Sequence, residues 1–145
     1  MKGMTLIVRN VAGLISSFVM LYGLYVVATG HLAPGGGFAG GVIIMAGVVM
    51  LVLAFGGDRA KVLLEEKRCH VIDGSGALAF ALVALLGLFL GGFFKNFLPV
   101  GKVHEFFSGG TILISNIAIG VKVAAGLVGI FLALIVATRQ VMPRE

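Results

Sequence analysis

Four long apolar stretches decide what kind of fold is open to this chain. Each runs for about 20 residues without the apolar–polar alternation of a half-buried strand. The interior of a bilayer offers the backbone no hydrogen-bond partners, so a segment that crosses it must be a helix or part of a closed barrel. Barrel strands read as alternating segments of about 10 residues, which these stretches are not. The sequence therefore predicts an all-α integral membrane protein with four transmembrane helices.

The composition agrees with this fold class. Of the 145 residues, 59% are hydrophobic and 12% are charged, whereas a soluble domain has about 25% charged residues. The single cysteine excludes a disulfide within the chain and a metal site built from several cysteines. We expect a single membrane domain over residues 1–145, with a polar loop at 56–73 and spans at about 10–29, 38–55, 76–94 and 112–138.

The distribution of basic residues predicts the orientation of the four helices. Eight Lys and Arg residues fall on the side that holds both termini and the 56–73 loop, and two fall on the other side. The positive-inside rule then places both termini and this loop in the cytoplasm. The same rule accounts for the net charge of +5. Because the basic residues do not form a stripe, nucleic acid is not an expected partner.

A glycine-rich segment separates the first two apolar stretches. Pro34 fixes its own φ, and the three glycines from Gly35 to Gly37 allow backbone angles and close contacts that other residues do not. A short hairpin between helices 1 and 2 is the simplest structure that uses them. The segment from Gly35 to Gly40 also matches the dinucleotide fingerprint G-x-G-x-x-G. It follows a membrane helix instead of a strand, so nucleotide binding is not expected.

The acidic residues argue against a self-contained ion carrier. With the spans given above, all six lie outside the membrane: Asp58, Glu65, Glu66, Asp73, Glu105 and Glu145. Proteins that carry protons or cations by themselves place carboxylates at membrane depth. The chain is therefore expected to act together with other subunits. No catalytic triad, paired carboxylates or metal-ligand cluster is found, so no enzyme activity, metal or cofactor is predicted.

Lys122 is the one charged residue expected inside a span. A charged lysine at the centre of a membrane helix costs about 3 kcal/mol on insertion scales, which makes it a candidate functional residue. Either a carboxylate of another subunit pairs with it, or desolvation removes its proton and it carries protons itself. The alternative is a lysine that snorkels or only fixes helix packing. Ser115 lies on the same helical face seven residues earlier, and Asn116 is one position further round.

His31, in the glycine-rich segment, is the remaining candidate for an ion path. An imidazole is suited to exchange protons near neutral pH, which makes His31 a candidate for passing protons at the membrane surface. The alternative is a hydrogen bond that holds the turn.

The residues around this segment resemble a known family. The chain is similar to the B subunit (MnhB or MrpB) of multisubunit Na+/H+ antiporters of the Mrp type, a module also found in archaeal membrane-bound hydrogenase and sulfane sulfur reductase complexes. The resemblance is most specific over 30–55 and rests on these residues: Gly30, His31, Pro34, Gly35, Gly36, Gly37, Phe38, Gly40 and Gly41. The bacterial antiporter pattern has an acidic residue near the position of Asn116, and Lys122 is not part of it.

The resemblance implies a small non-catalytic subunit of a complex in a prokaryotic plasma membrane. Such a subunit would line or support a path for Na+ and H+ at a subunit interface, beside large subunits similar to those of respiratory complex I. An alternative is the equivalent subunit of an ion-pumping hydrogenase or sulfur reductase. A purely structural scaffold subunit is an alternative of another class.

Overall fold

Four α-helices make up nearly all of the described chain. The computed structural model describes residues 4–32, 35–56, 66–98 and 108–141. These residues contain no strand, and their helices are α1 Leu6–Ala28, α2 Gly36–Phe55, α3 Glu66–Phe89 and α4 Thr111–Val141. Each helix includes a segment long and apolar enough to cross a membrane. The predicted fold class is thus confirmed, while the side of the membrane on which the termini lie stays a prediction.

The helix bounds follow the expected spans except at α3. The membrane-length segment of α3 is Lys67–Phe89, whereas the sequence suggests about 76–94. Residues 66–73, expected in a polar loop, therefore form the first two turns of a helix. Residues 57–65 of that loop and Pro34 of the hairpin lie outside the described residues.

The early end of α3 has a local cause. Gly91 has φ +114, and its N–H donates to the carbonyl of Leu88 while the N–H of Gly92 donates to the carbonyl of Gly87. These two bonds form a Schellman motif, which ends a helix at a glycine. Because a span needs about 20 residues, a helix that ends at Phe89 must begin well before residue 76.

The helices pack in the order α1, α2, α4, α3, with α1 and α3 at the two edges. Glycines bring α1 and α2 close together: a methyl group added at Gly23 would lie 2.8 Å from the side chain of Ile44, and one at Gly40 would lie 2.8 Å from the carbonyl oxygen of Gly23. Small residues of this kind let membrane helices approach until their backbones touch. The fully buried Ser16 of α1 adds a hydrogen bond, donated by its Oγ to the carbonyl of Gly47 at 2.9 Å.

The α2–α4 contact also uses glycine. A methyl group at Gly41 would lie 2.8 Å from the carbonyl oxygen of Gly120 on α4. Further along, an apolar cluster joins α2, α3 and α4, and its buried members are Val52, Cys69, Val128 and Leu132. Only 22–28% of the residues in each membrane-length window are buried. The remaining apolar surface is suited to lipid or to other membrane helices.

Candidate ion-path site

An ion pair joins α3 to α4 within their membrane-length segments. The Nζ of Lys122 donates a hydrogen bond to Oδ1 of Asp73 at 2.8 Å. Asp73 is six residues beyond Lys67, or about 9 Å along the helix axis at 1.5 Å per residue. Its carboxylate therefore lies beyond the first turns of α3, within the segment that is long and apolar enough to cross a membrane.

This pair corrects two expectations from the sequence. The sequence predicts Asp73 in a loop, yet it lies in the third membrane-length helix, so the prediction that no span holds a carboxylate is wrong. The carboxylate that pairs with Lys122 was expected from another subunit, and it comes from the same chain. The sequence Asp73-Gly74-Ser75-Gly76 reads as a turn, which explains the error. The glycine pair Gly91-Gly92 is the signal in the sequence that α3 ends near residue 90, and a helix of membrane length that ends there begins before Asp73.

A glycine lets the two helices meet at the pair. A methyl group added at Gly76 would lie 3.0 Å from the backbone nitrogen and the Cβ of Lys122, and also 3.0 Å from the carbonyl oxygen of Ala118. α3 thus crosses α4 one turn beyond Asp73 with almost no space between their backbones. This close approach holds the carboxylate within reach of the lysine.

The glycine-rich segment forms a tight connection, and Asn116 of α4 lies against it. Gly35 and Gly36 have φ values of +138 and +64, which only glycine adopts at little cost. A methyl group at Gly30 would lie 3.0 Å from Nδ2 of Asn116, and one at Gly36 would lie 3.5 Å from its Oδ1. At Gly37 the added group would overlap the backbone carbonyl oxygen of Asn116. These glycines therefore make room for α4.

The other predicted candidates occupy two separate places. His31, half-buried, packs beside Gly109, where an added methyl group would lie 2.9 Å from the imidazole Cγ. It therefore shares the hairpin end of the molecule with Asn116. Ser115 donates its Oγ hydrogen to the carbonyl of Thr111 at 3.0 Å, within α4. The structure brings Lys122 together with Asp73, which sequence reasoning missed, and not with His31.

The start of α4 is fixed by a residue outside the helix. Oδ1 of Asn96 accepts hydrogen bonds from the backbone N–H and the hydroxyl of Thr111, at 3.1 and 3.2 Å. These bonds satisfy one of the N–H groups that the first turn of a helix leaves open. The start of α4 sets the register in which Asn116 and Lys122 follow.

An open apolar cavity of about 420 Å³ lies among the four helices, on another side of α3 from the ion pair. Ile72 lines it, whereas Asp73 and Gly74 follow at about 100° and 200° further round the helix. Its lining is almost entirely apolar and contains none of the ion-path candidates. Among the described residues, no group of three or more His, Cys, Asp and Glu side chains is placed to hold a metal ion.

Comparison with known proteins agrees with the fold and with the resemblance to the MnhB family. The family model for domains related to the MnhB subunit of Na+/H+ antiporters matches residues 7–129. An uncharacterized protein of Methanocaldococcus jannaschii is 34% identical over 130 residues, which cover 85% of this chain and 49% of that protein. The B subunit of the Na(+)/H(+) antiporter of Bacillus subtilis is 36% identical over 80 residues, 55% of each chain.

A solved structure is similar over most of the chain. It is a chain of the membrane-bound sulfane sulfur reductase, an archaeal respiratory membrane complex, with a TM-score of 0.76 and 29% identity. The match covers 90% of this chain and 57% of that one. The chain thus spans about half the length of these three relatives. With a family match over most of its length, the chain belongs to the family of domains related to the MnhB subunit of Na+/H+ antiporters.

Proposed function

We propose that this chain is a non-catalytic membrane subunit of a multisubunit Na+/H+ antiporter module and contributes the Lys122–Asp73 pair to an ion path at a subunit interface. The observation that carries the proposal is the pair itself, with Nζ and Oδ1 2.8 Å apart on two membrane-length helices. Ionisable residues inside membrane helices are rare and mark ion and proton routes. The family membership supplies the antiporter context.

The pair offers a simple way to couple a proton to a sodium ion. When Asp73 is ionised, Lys122 neutralises it and holds it close. A proton that binds the carboxylate, or a sodium ion that coordinates it, removes the charge that attracts Lys122, and the ammonium group is then released. Binding of one ion therefore changes the position of a charge on α4. A neighbouring subunit that carries charged groups of its own would respond to this movement.

The location of the module is part of the proposal. Multi-pass insertion in a prokaryotic plasma membrane, with both termini in the cytoplasm, is supported by the four membrane-length helices and by the excess of basic residues on one side. The partners would be large complex I-like subunits, and the transported ions Na+ and H+. In this orientation Asn116 and His31 lie toward the outer end, and Asp73 lies nearer the cytoplasmic end.

Ion exchange in inverted membrane vesicles tests the proposal. Vesicles that contain the whole complex should show a sodium-induced change of internal pH. Lys122→Ala and Asp73→Asn should each reduce it about tenfold or more because each leaves one charge unpaired at membrane depth. Lys95→Ala is the matched control, since the one hydrogen bond that Nζ of Lys95 donates among the described residues goes to the carbonyl of Leu90 in the connection after α3. Normal exchange by the two pair variants, with the complex intact, would favour the scaffold alternative.

A second candidate function is the equivalent subunit of an ion-pumping respiratory complex. The similarity to a chain of the sulfane sulfur reductase complex, with a TM-score of 0.76, favours it. Both candidates use the same ion path and differ in the energy source. Ion movement that requires an electron donor, and iron-sulfur subunits in the purified complex, would select the redox-driven version. Exchange driven by a sodium gradient alone would select the antiporter.

A further inference from the structure

The ion pair is partly exposed at the surface of the chain, and hydrocarbon is unable to solvate its charged groups. The side chain of Lys122 keeps 46% of its exposure and that of Asp73 keeps 33%. Two glycines border the pair, Gly74 on α3 and Gly126 on α4, and these four residues are called the charged flank. We propose that a membrane-spanning helix of another subunit covers the charged flank and presents an uncharged polar side chain, a hydroxyl or an amide, to the ion pair. The inference rests on the proposed function, which makes the chain part of a complex.

The hydrogen-bonding capacity of the pair argues for a polar partner. An ammonium group donates three hydrogen bonds, and a carboxylate has two acceptor oxygens. Among the described residues, Lys122 donates one hydrogen bond, to one oxygen of Asp73. The remaining capacity is not used within the described part of the chain, and polar groups left unsatisfied in hydrocarbon are strongly unfavourable. Lipid tails are unable to supply the missing bonds, whereas a polar side chain on a partner helix supplies them.

The charge of the pair argues for an uncharged partner group. Lys122 and Asp73 together carry no net charge. A third charge at membrane depth would leave the cluster with an unbalanced charge and would require its own counter-ion. A hydroxyl or amide group both donates and accepts, so it completes the pair without changing the charge. This complementarity selects Ser, Thr, Asn or Gln as the contacting side chain of the partner.

The charged flank has room for another helix at Gly74. A methyl group added there would have no described atom of the chain within 4 Å, whereas one added at Gly126 would be crowded, 3.2 Å from Oδ1 of Asp73. Next to the carboxylate, the backbone of α3 is therefore uncovered at Gly74. Small residues at such a place let a membrane helix approach closely.

Gly74 gives a sharp test, because a larger residue there fits the chain and blocks only a partner. Gly74→Leu should leave the amount of this subunit in the membrane unchanged and should lower the recovery of the covering subunit about fivefold or more in mild detergent, as a blocked helix contact requires. Gly13→Leu is the matched control, since Gly13 on α1 also has no atom within 4 Å of an added methyl group. It should retain that subunit. Recovery unchanged in both variants would overturn the docking proposal.

A photo-crosslinking amino acid at position 74 provides a second measurement in the otherwise wild-type complex. The expected product joins position 74 to a membrane-spanning peptide of another subunit that contains Ser, Thr, Asn or Gln. Adducts with lipid alone, or a crosslinked pair of two copies of this chain, would overturn the proposal. If the wild-type chain is recovered without any other membrane subunit, the proposed function fails as well. Recovery of the complex without a crosslink at position 74 rejects the docking face only.

Discussion

The Nζ of Lys122 lies 2.8 Å from Oδ1 of Asp73, although the two residues are 49 positions apart in the chain. The contact ties an edge helix, α3, to α4 in the middle of the packing order. It also places a lysine beside a carboxylate on two membrane-length helices, and Asp73 is the only acidic residue within the four membrane-length segments. Substitutions of these two residues therefore distinguish a role in ion movement from a role in assembly.

Exchanging the two charges separates these roles. Asp73→Lys alone places two ammonium groups side by side, and Lys122→Asp alone places two carboxylates there, so each variant should assemble poorly. The double variant Asp73→Lys/Lys122→Asp restores a neutral pair and should restore recovery of the complex, while ion exchange stays about tenfold or more below wild type because the carboxylate now lies on α4. Complex recovery and vesicle exchange are measured together. Full exchange by the double variant would mean that the pair only holds helices together.

A substitution at Gly126 tests whether the Lys122–Asp73 pair depends on the small residue beside it. A methyl group at this position would lie 3.2 Å from Oδ1 of Asp73, closer than ordinary contact, so Gly126→Ala should shift the carboxylate and lower exchange about two- to tenfold, equivalent to about 0.4–1.4 kcal/mol. Gly129→Ala is the control one turn along α4. Its added methyl group would lie 3.7 Å from Cβ of Cys69, an ordinary distance. Equal rates for the two variants would contradict the assigned geometry.

The sequence predicted the fold well because the bilayer allows few alternatives. Four apolar runs of this length form four helices whatever the order of the residues within each run. In the described part of the glycine-rich segment, Gly35 and Gly36 have backbone angles of the kind that the sequence predicts there, with positive φ. These features depend on the local sequence and on the apolar interior of the bilayer. Predicting them does not require knowing which helices are neighbours.

The site was harder to predict because it depends on helix ends and helix neighbours. The sequence predicts Asp73 in a polar loop and a third span that runs on to about residue 94. In the structure Gly76 packs against α4 and Gly91 ends α3. With these earlier bounds, Asp73 belongs to a membrane-length segment. The contact with Lys122 then depends on the order α1, α2, α4, α3, which no local signal encodes.

The hydrogen bond from Ser16 to Gly47 should contribute measurably to the α1–α2 contact. Ser16 is fully buried and donates to the carbonyl of Gly47 at 2.9 Å, so Ser16→Ala should lower the free energy of unfolding by about 0.6 kcal/mol, the usual value for such bonds between membrane helices. Ser17→Ala is the control, since Ser17 is exposed and donates to Gly13 within α1. Unfolding by a denaturing detergent measures both variants. A larger loss in Ser17→Ala would contradict the assignment.

Gly37 is the glycine at which size should matter most for the α2–α4 contact. A methyl group there would overlap the carbonyl oxygen of Asn116, so Gly37→Ala should destabilise the chain by about 1–3 kcal/mol, the range for overpacking. Gly13→Ala adds a methyl group in open space and should be neutral or stabilising by up to about 1 kcal/mol, because alanine favours the helix. Thermal unfolding in detergent compares them. Equal stability would show that α2 and α4 pack less closely.

Asn116 occupies a place that should accept an acidic residue. Its side chain lies beside Gly36, the first residue of α2, and the start of a helix carries a partial positive charge that favours anions by about 0.3–1 kcal/mol. Asn116→Asp should therefore fold and assemble, and it would introduce the acidic residue that the resemblance to bacterial antiporters leads us to expect near this position. Asn116→Leu presents no polar atom to Gly30 and Gly36 and should lower complex recovery. Vesicle exchange then decides the functional question: a change of rate or ion preference in Asn116→Asp, with assembly intact, would place the hairpin end on the ion path, and an unchanged rate would leave the path to Lys122 and Asp73.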